Sequence, residues 1–187
     1  EEKHEDAIKI FNEVLIYDEK NLSALNSLGR IYHEKRESKK AEEFFKKALL
    51  IDETSYHVLN NIAGFYREEG RYNEGISYYL KALKINPNNS YILNNLSKSY
   101  FDLGEFEMAK KYCLESLKLN KTDGNMQKIL SFIHLRNQEY KKGWQYFEGR
   151  LNLSDFAIKN DSINKLQKKL HLKDKIDKHS KILILRE

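Results

Sequence analysis

Columns of small and aromatic residues recur every 34 positions in this chain, and that period constrains the fold more than any other feature of the sequence. Counting 34 residues back from Ala63 reaches Gly29, and counting forward reaches Ser97. Tyr66 maps in the same way onto Tyr32 and Tyr100, Gly75 onto Ala41 and Ala109, Tyr79 onto Phe45 and Cys113, and Ala82 onto Ala48 and Ser116. Columns that hold their chemistry over successive periods mark one supersecondary unit repeated along the chain, each copy burying its apolar face on its neighbours.

The unit itself reads as two amphipathic helices. Leu59, Ile62, Ala63 and Tyr66 follow the spacing of one buried helix face, and Gly75, Tyr79, Ala82 and Leu83 follow it again. Glu69-Gly70-Arg71 between them is a turn with a glycine where one helix stops and the next begins. Asn86-Pro87-Asn88 ends the second helix, because proline, here the only one in the chain, cannot continue it. Small residues are expected where the two helices of a unit touch, and large aromatics in the gaps between units.

On these columns the chain resembles the tetratricopeptide repeat family. The resemblance implies an all-α, right-handed α-α superhelix over residues 1–153. A half repeat falls at 5–17, where Ala7, Phe11 and Val14 take the register of Ala41, Phe45 and Ala48, and full repeats fall at 22–55, 56–89, 90–123 and 124–153. In the fourth repeat Leu130, Ser131, Gly143 and Phe147 keep the register, while His134 replaces the tyrosine and Arg150 the second small residue. Residues 154–180 break the period and are expected to hold a capping helix near 162–170 and a linker. The aliphatic run 181–185 reads as a strand, the start of a truncated further domain in 181–187.

Composition narrows the function classes. Lys and Arg number 33 against 28 Asp and Glu, a net charge of +5 that is dispersed along helix faces. Nucleic-acid binding is not expected, since a nucleic-acid reader gathers its charge on one stripe. No run is long and apolar enough for a membrane span. Cys113, the single cysteine, excludes an intramolecular disulfide and fits a reducing compartment, so a cytoplasmic location is expected, with Cys113 buried in its column. The six histidines form no metal-binding spacing, and phosphate loops and nucleophile motifs are absent from the sequence, so neither cofactor nor metal nor catalysis is expected of it.

What remains is an interaction surface. In tetratricopeptide stacks the first helices line a concave groove, and one row there holds Asn26, Asn60 and Asn94, with Ser27, Asn61 and Asn95 beside it. An amide both donates and accepts, so a row of them can hold a peptide backbone whatever its side chains. The arrangement looks like the asparagine ladder of O-linked N-acetylglucosamine transferases, best at Asn61 and Asn95; Ser27 and Ile129 depart from it and shorten the ladder. Arg30, Arg67 and Lys98 form a basic strip and Glu34, Glu68 and Asp102 an acidic one, which together favour a ligand of mixed charge. The basic clamp of chaperone-binding relatives is not matched, because Asn26 and Tyr91 stand where lysines are needed. The expected function is a scaffold that holds an extended peptide or partner helix, with Asn26, Asn60, Asn61, Asn94 and Asn95 on its backbone and Arg30, Arg67 and Lys98 selecting its charge. Residues 143–150, Gly-Trp-Gln-Tyr-Phe-Glu-Gly-Arg, resemble a segment of bacterial proteins in which these repeats precede a glycosyltransferase-like domain, and imply the alternative of a substrate-recognition region for such an enzyme. Self-association through the open faces of 5–17 and 163–170 is a third expectation.

Overall fold

A computed structural model describes residues 2–151. Among them are helices only: α1 (Glu2–Tyr17), α2 (Leu22–Glu34), α3 (Ser38–Ile51), α4 (Tyr56–Glu68), α5 (Tyr72–Ile85), α6 (Ser90–Leu103), α7 (Phe106–Leu119), α8 (Gly124–Arg136) and α9 (Tyr140–Leu151). The expected all-α class therefore holds, and α1 starts three residues earlier than the 5–17 expected. The capping helix, the linker and the strand expected in 154–187 lie outside the described residues.

Local sequence sets the helix ends at the same places in each period. Asn21, Asn89 and Asp123 cap α2, α6 and α8 with side-chain oxygens that accept backbone N–H groups, as at Asn21 from Ala24 at 3.0 Å. Three residues ahead of the N-cap positions Asn21, Ser55 and Asp123, the side chains of Asp18, Asp52 and Asn120 close tight turns onto the backbone N–H of Lys20, Thr54 and Thr122. At the equivalent place α5 stops at Ile85, where Asn86 is forced out of the helical region by Pro87. The turn between paired helices uses a left-handed residue each time: Arg36 (φ 62°), Gly70 (φ 76°), Gly104 (φ 87°) and Gln138 (φ 60°).

The short turns fold α2 against α3, α4 against α5, α6 against α7 and α8 against α9. Close approach inside these hairpins needs the small-residue column. A Cβ on Gly75 would lie 2.8 Å from the Ala63 carbonyl oxygen, a contact that backbone cannot relieve. The tyrosine column does more than the expected gap filling. Tyr32, Tyr66 and Tyr100 stack face to face within their own repeats, on Phe44 (5.4 Å, 8°), Tyr78 (5.6 Å, 18°) and Tyr112 (5.5 Å, 8°), and Tyr66 also shares a buried cluster with Ala41 and Phe45 of the preceding repeat. His134 keeps the stack where the sequence departs from tyrosine, lying 5.4 Å from Tyr146 at 6°. The gap between repeats is bridged by the next column, where Phe45 of α3 meets Phe65 of α4 at 6.0 Å.

The chain divides into two compact units, with the boundary between Leu119 and Asn120. In the first, the core runs from repeat to repeat: Leu25, Ala48 and Val58 join α2, α3 and α4, and Leu59, Tyr79, Ile92 and Leu96 join α4, α5 and α6. Truncating a fully buried ring such as Phe45 would cost about 3–5 kcal/mol. Cys113 is buried as expected, its Sγ 2.9 Å from the Ser97 hydroxyl. Along α1, Ala7, Phe11 and Val14 are only half-buried, whereas Ala41, Phe45 and Ala48 in the same columns are fully buried. In the second unit, Met126, Leu130 and Ile133 form the core of the α8/α9 hairpin, and Trp144 and Phe147 meet edge to face at 5.3 Å.

The left-handed turn gives a direct test. Arg36 is exposed and carries a Cβ in a conformation that penalises one. Arg36→Gly is expected to raise the unfolding free energy by about 1 kcal/mol, and Gly70→Ala to lower it by a similar amount, in urea denaturation.

Candidate functional site

The first helices of the three repeats in the first unit, α2, α4 and α6, carry all eight candidate residues. Two of the asparagine rows are stitched together by a step of 35 residues. Asn61 Nδ2 donates to Asn26 Oδ1 at 3.0 Å, and Asn95 Nδ2 donates to Asn60 Oδ1 at 3.3 Å. Asn60 is buried, Asn26, Asn61 and Asn95 half-buried. Each amide in a stitch still has an unused donor or acceptor atom, so the stitches orient the amides without exhausting them. Asn94 faces elsewhere: its Oδ1 accepts from the Ser116 hydroxyl of α7, within its own repeat.

The charged rows obey the same step. His33 Nε2 sits 3.3 Å from Glu68 Oε2, and Arg67 Nη1 donates to Asp102 Oδ2 at 3.2 Å. Arg67 also reaches Glu68 at 3.5 Å, and Glu34 is bound by His4 at 3.1 Å. All three groove carboxylates are thus engaged from neighbouring helices. Arg30 and Lys98 have no ion pair among the described residues. The mixed-charge strip read from the sequence resolves into satisfied acids and two unpaired cations.

Two cavities open beside these rows. The larger, about 550 Å³, is lined by Asn26, Arg30, Asn60 and Asn61 together with Tyr56, His57, Asn89 and Tyr91. The smaller, about 160 Å³, shares Arg30, Asn60, Asn61 and Tyr91 and adds Asn95, Arg67, Gly64 and Tyr79. Asn94 and Lys98 line neither. Tyr91 is 64% exposed although aromatic, and it stands between the cavities as a free flat face. Sequence reading missed Gly64, Tyr79 and Tyr91 as site residues. Only Tyr91 had a signal, its place beside His57 and Ser23 in one column of the first helices.

At the rear of the groove a polar cluster ties α3, α4 and the α4–α5 turn. Glu42 accepts from the Tyr66 hydroxyl at 2.9 Å, from Arg71 Nη1 at 3.1 Å and from Lys46 at 2.8 Å, and the Arg71 guanidinium lies 4.2 Å over the Tyr66 ring. Hydrogen bonding from Lys46, then from Tyr66 and Arg71, holds the Glu42 carboxyl below its ordinary value against the opposing effect of burial. Burial, followed by the Glu42 bond, pushes the Tyr66 hydroxyl up. No group of His, Cys, Asp and Glu among the described residues could hold a metal ion, and none of the described helices is long and apolar enough to cross a membrane.

Comparison with known proteins defines the class. Models of the tetratricopeptide repeat match residues 22–55 and 55–122. Residues 22–122 are tetratricopeptide repeats, and the chain belongs with the proteins built from them. Its fold is shared with a crystal structure of MamA, at 18% identity over 83% of this chain and 91% of that one, with a TM-score of 0.75. PilF of Pseudomonas aeruginosa is similar at 23% identity over 92% of this chain and 86% of its own, again with a TM-score of 0.75. MamA of Desulfovibrio magneticus RS-1, residues 41 to the end, matches at 14% identity over 81% and 86%, with a TM-score of 0.74. No curated protein matches the sequence. Neither the repeat models nor these structures support the likeness to glycosyltransferase-linked proteins, which is read from residues 143–150 and 181–187.

Two outcomes check the geometry. In a double-mutant cycle, Asn26→Ala and Asn61→Ala are expected to couple by about 0.5–1 kcal/mol in unfolding free energy. For Glu42 the folded-state carboxyl titrates below 4.5, its ordinary value, so its contribution to stability is complete above that pH and is lost as pH falls through the lowered value. Urea denaturation across pH 3–6 (roughly the window of carboxylate titration) should show this loss, and Glu42→Gln should flatten it while costing about 1 kcal/mol at neutral pH.

Proposed function

We propose that the chain is a protein-interaction scaffold that holds an extended peptide in the groove of α2, α4 and α6. Tetratricopeptide repeats have no chemistry of their own, and their first helices present a continuous surface to a partner. The observation that carries the reading is the row of stitched amides, of which Asn26, Asn60 and Asn61 border the cavity of about 550 Å³ and Asn95 the smaller one. Asn26, Asn60, Asn61 and Asn95 are oriented by one another, and each lines at least one of the two cavities. An ordered amide loses little further freedom on binding, so its hydrogen bonds to a peptide backbone are retained as affinity. Tyr56, His57 and Tyr91 offer aromatic faces for a side chain along the same path. Asn94, turned toward Ser116, takes a supporting place in this reading, and Arg67, bound to Asp102, orders α4 against α6 more than it reads ligand charge.

The test is selection of a random peptide library, displayed at the N-terminus of a phage coat protein, on the full chain. Recovered peptides are expected to lose about 2 kcal/mol of affinity, roughly thirtyfold, on Asn61→Ala/Asn95→Ala, with the fold verified by thermal melting. Peptides that bind this double variant as well as the parent overturn the groove reading, and so does recovery of no peptide.

A further inference from the structure

From the charge balance of the groove we infer that its occupant is an acidic peptide, and that one Asp or Glu side chain enters the recess of about 160 Å³ in front of Gly64. The inference rests on the groove reading above and adds the chemistry of the ligand. Arg30 and Lys98 stand one period to either side of Gly64 in a single column of the first helices. The glycine between them leaves the column open: a Cβ there would lie 3.3 Å from the Tyr79 hydroxyl, which forms the floor. Tyr79 is 1% exposed and reaches the recess from α5, behind the first helices.

The walls supply donors. Arg30 borders the recess with no carboxylate bound to it, and Arg67 presents an Nε that is buried without a hydrogen-bond partner. Asn60, Asn61 and Asn95 add amide groups. Two carboxylates, Glu34 and Glu68, also border the recess, but His4 holds the first at 3.1 Å, and His33 (3.3 Å) and Arg67 (3.5 Å) hold the second. Glu34 is one turn along α2 from Arg30, the spacing of an internal ion pair, and it pairs with α1 instead. A guanidinium left unpaired beside a partly buried recess gains most from a carboxylate, which it can bind through two parallel N–H groups. A cationic side chain would meet the Arg30 and Arg67 guanidinium groups, while the two carboxylates of the recess already have partners, so charge complementarity selects against it.

The library selection described above separates the two claims. Peptides in that format have no free C-terminus, so any carboxylate recovered is a side chain or the spacer's own. The expected result is enrichment of Asp and Glu among groove-dependent peptides, about tenfold loss of affinity on Arg30→Gln, and a comparable loss on Gly64→Val, which fills the recess. Arg30 is exposed, so its substitution leaves the fold intact and keeps the test valid should Gly64→Val fail to fold. Groove-dependent peptides without acidic enrichment, or with affinity unchanged by Arg30→Gln, overturn the inference and leave the groove reading standing. Peptides indifferent to Asn61→Ala/Asn95→Ala overturn both.

Discussion

Close approach of two helices inside each hairpin is the constraint on which the rest depends. Where Gly75 lies against the Ala63 carbonyl, and Gly29 against the Phe45 ring, a methyl group has no room. That proximity sets the distance at which Tyr66 can stack on Tyr78 and Tyr100 on Tyr112, and the stacks in turn fix the rotation of each helix about its axis. Once rotation is fixed, each first helix turns its fifth or sixth residue toward the cavities: Asn26 on α2, Asn60 and Asn61 on α4, and Asn95 on α6. The groove is therefore a by-product of small residues on the far side of the helices that line it.

The repeat columns made most of this readable from the sequence. Gly29, Ala63 and Ser97 announced the hairpins, Pro87 announced a helix end, and the burial of Cys113 followed from its column. The stacking of Tyr32 on Phe44 was not readable, because periodicity tells which residues are equivalent but not which equivalents touch. The same limit explains the groove. Asn26, Asn60 and Asn94 were aligned by the period of 34, whereas the bonds in the structure run at 35, joining one row to the next. A period aligns residues that are related by the repeat operation; contact requires a further offset that depends on how neighbouring first helices lean. Gly64 and Tyr79 were missed for a related reason: one contributes an absence and the other comes from a helix behind.

Electrostatics sharpen the chemistry of the surface. A chain with one-third charged residues could carry its groove charges as loose surface pairs, each worth little. Here the pairs His33–Glu68 and Arg67–Asp102 bind separate repeats to each other, so they work as joints. In the proposed peptide recognition their effect is indirect: they engage Glu68 and Asp102, while Arg30 and Lys98 have no ion pair among the described residues.

The 35-residue step bears on how such a chain can change its length. Since Asn26 bonds Asn61 and Asn60 bonds Asn95, the donor and acceptor rows are interchangeable between neighbours. Removing one whole period, residues 56–89, would bring Asn95 to the place of Asn61 beside Asn26, and Asp102 to the place of Glu68 beside His33. Both of these joints would find a chemically equivalent partner, whereas Glu42 would meet Glu105 in the place of Arg71. Insertion of a period would keep both joints as well. An array sewn in this manner keeps its amide and His–carboxylate joints when unequal recombination in its gene lengthens or shortens it.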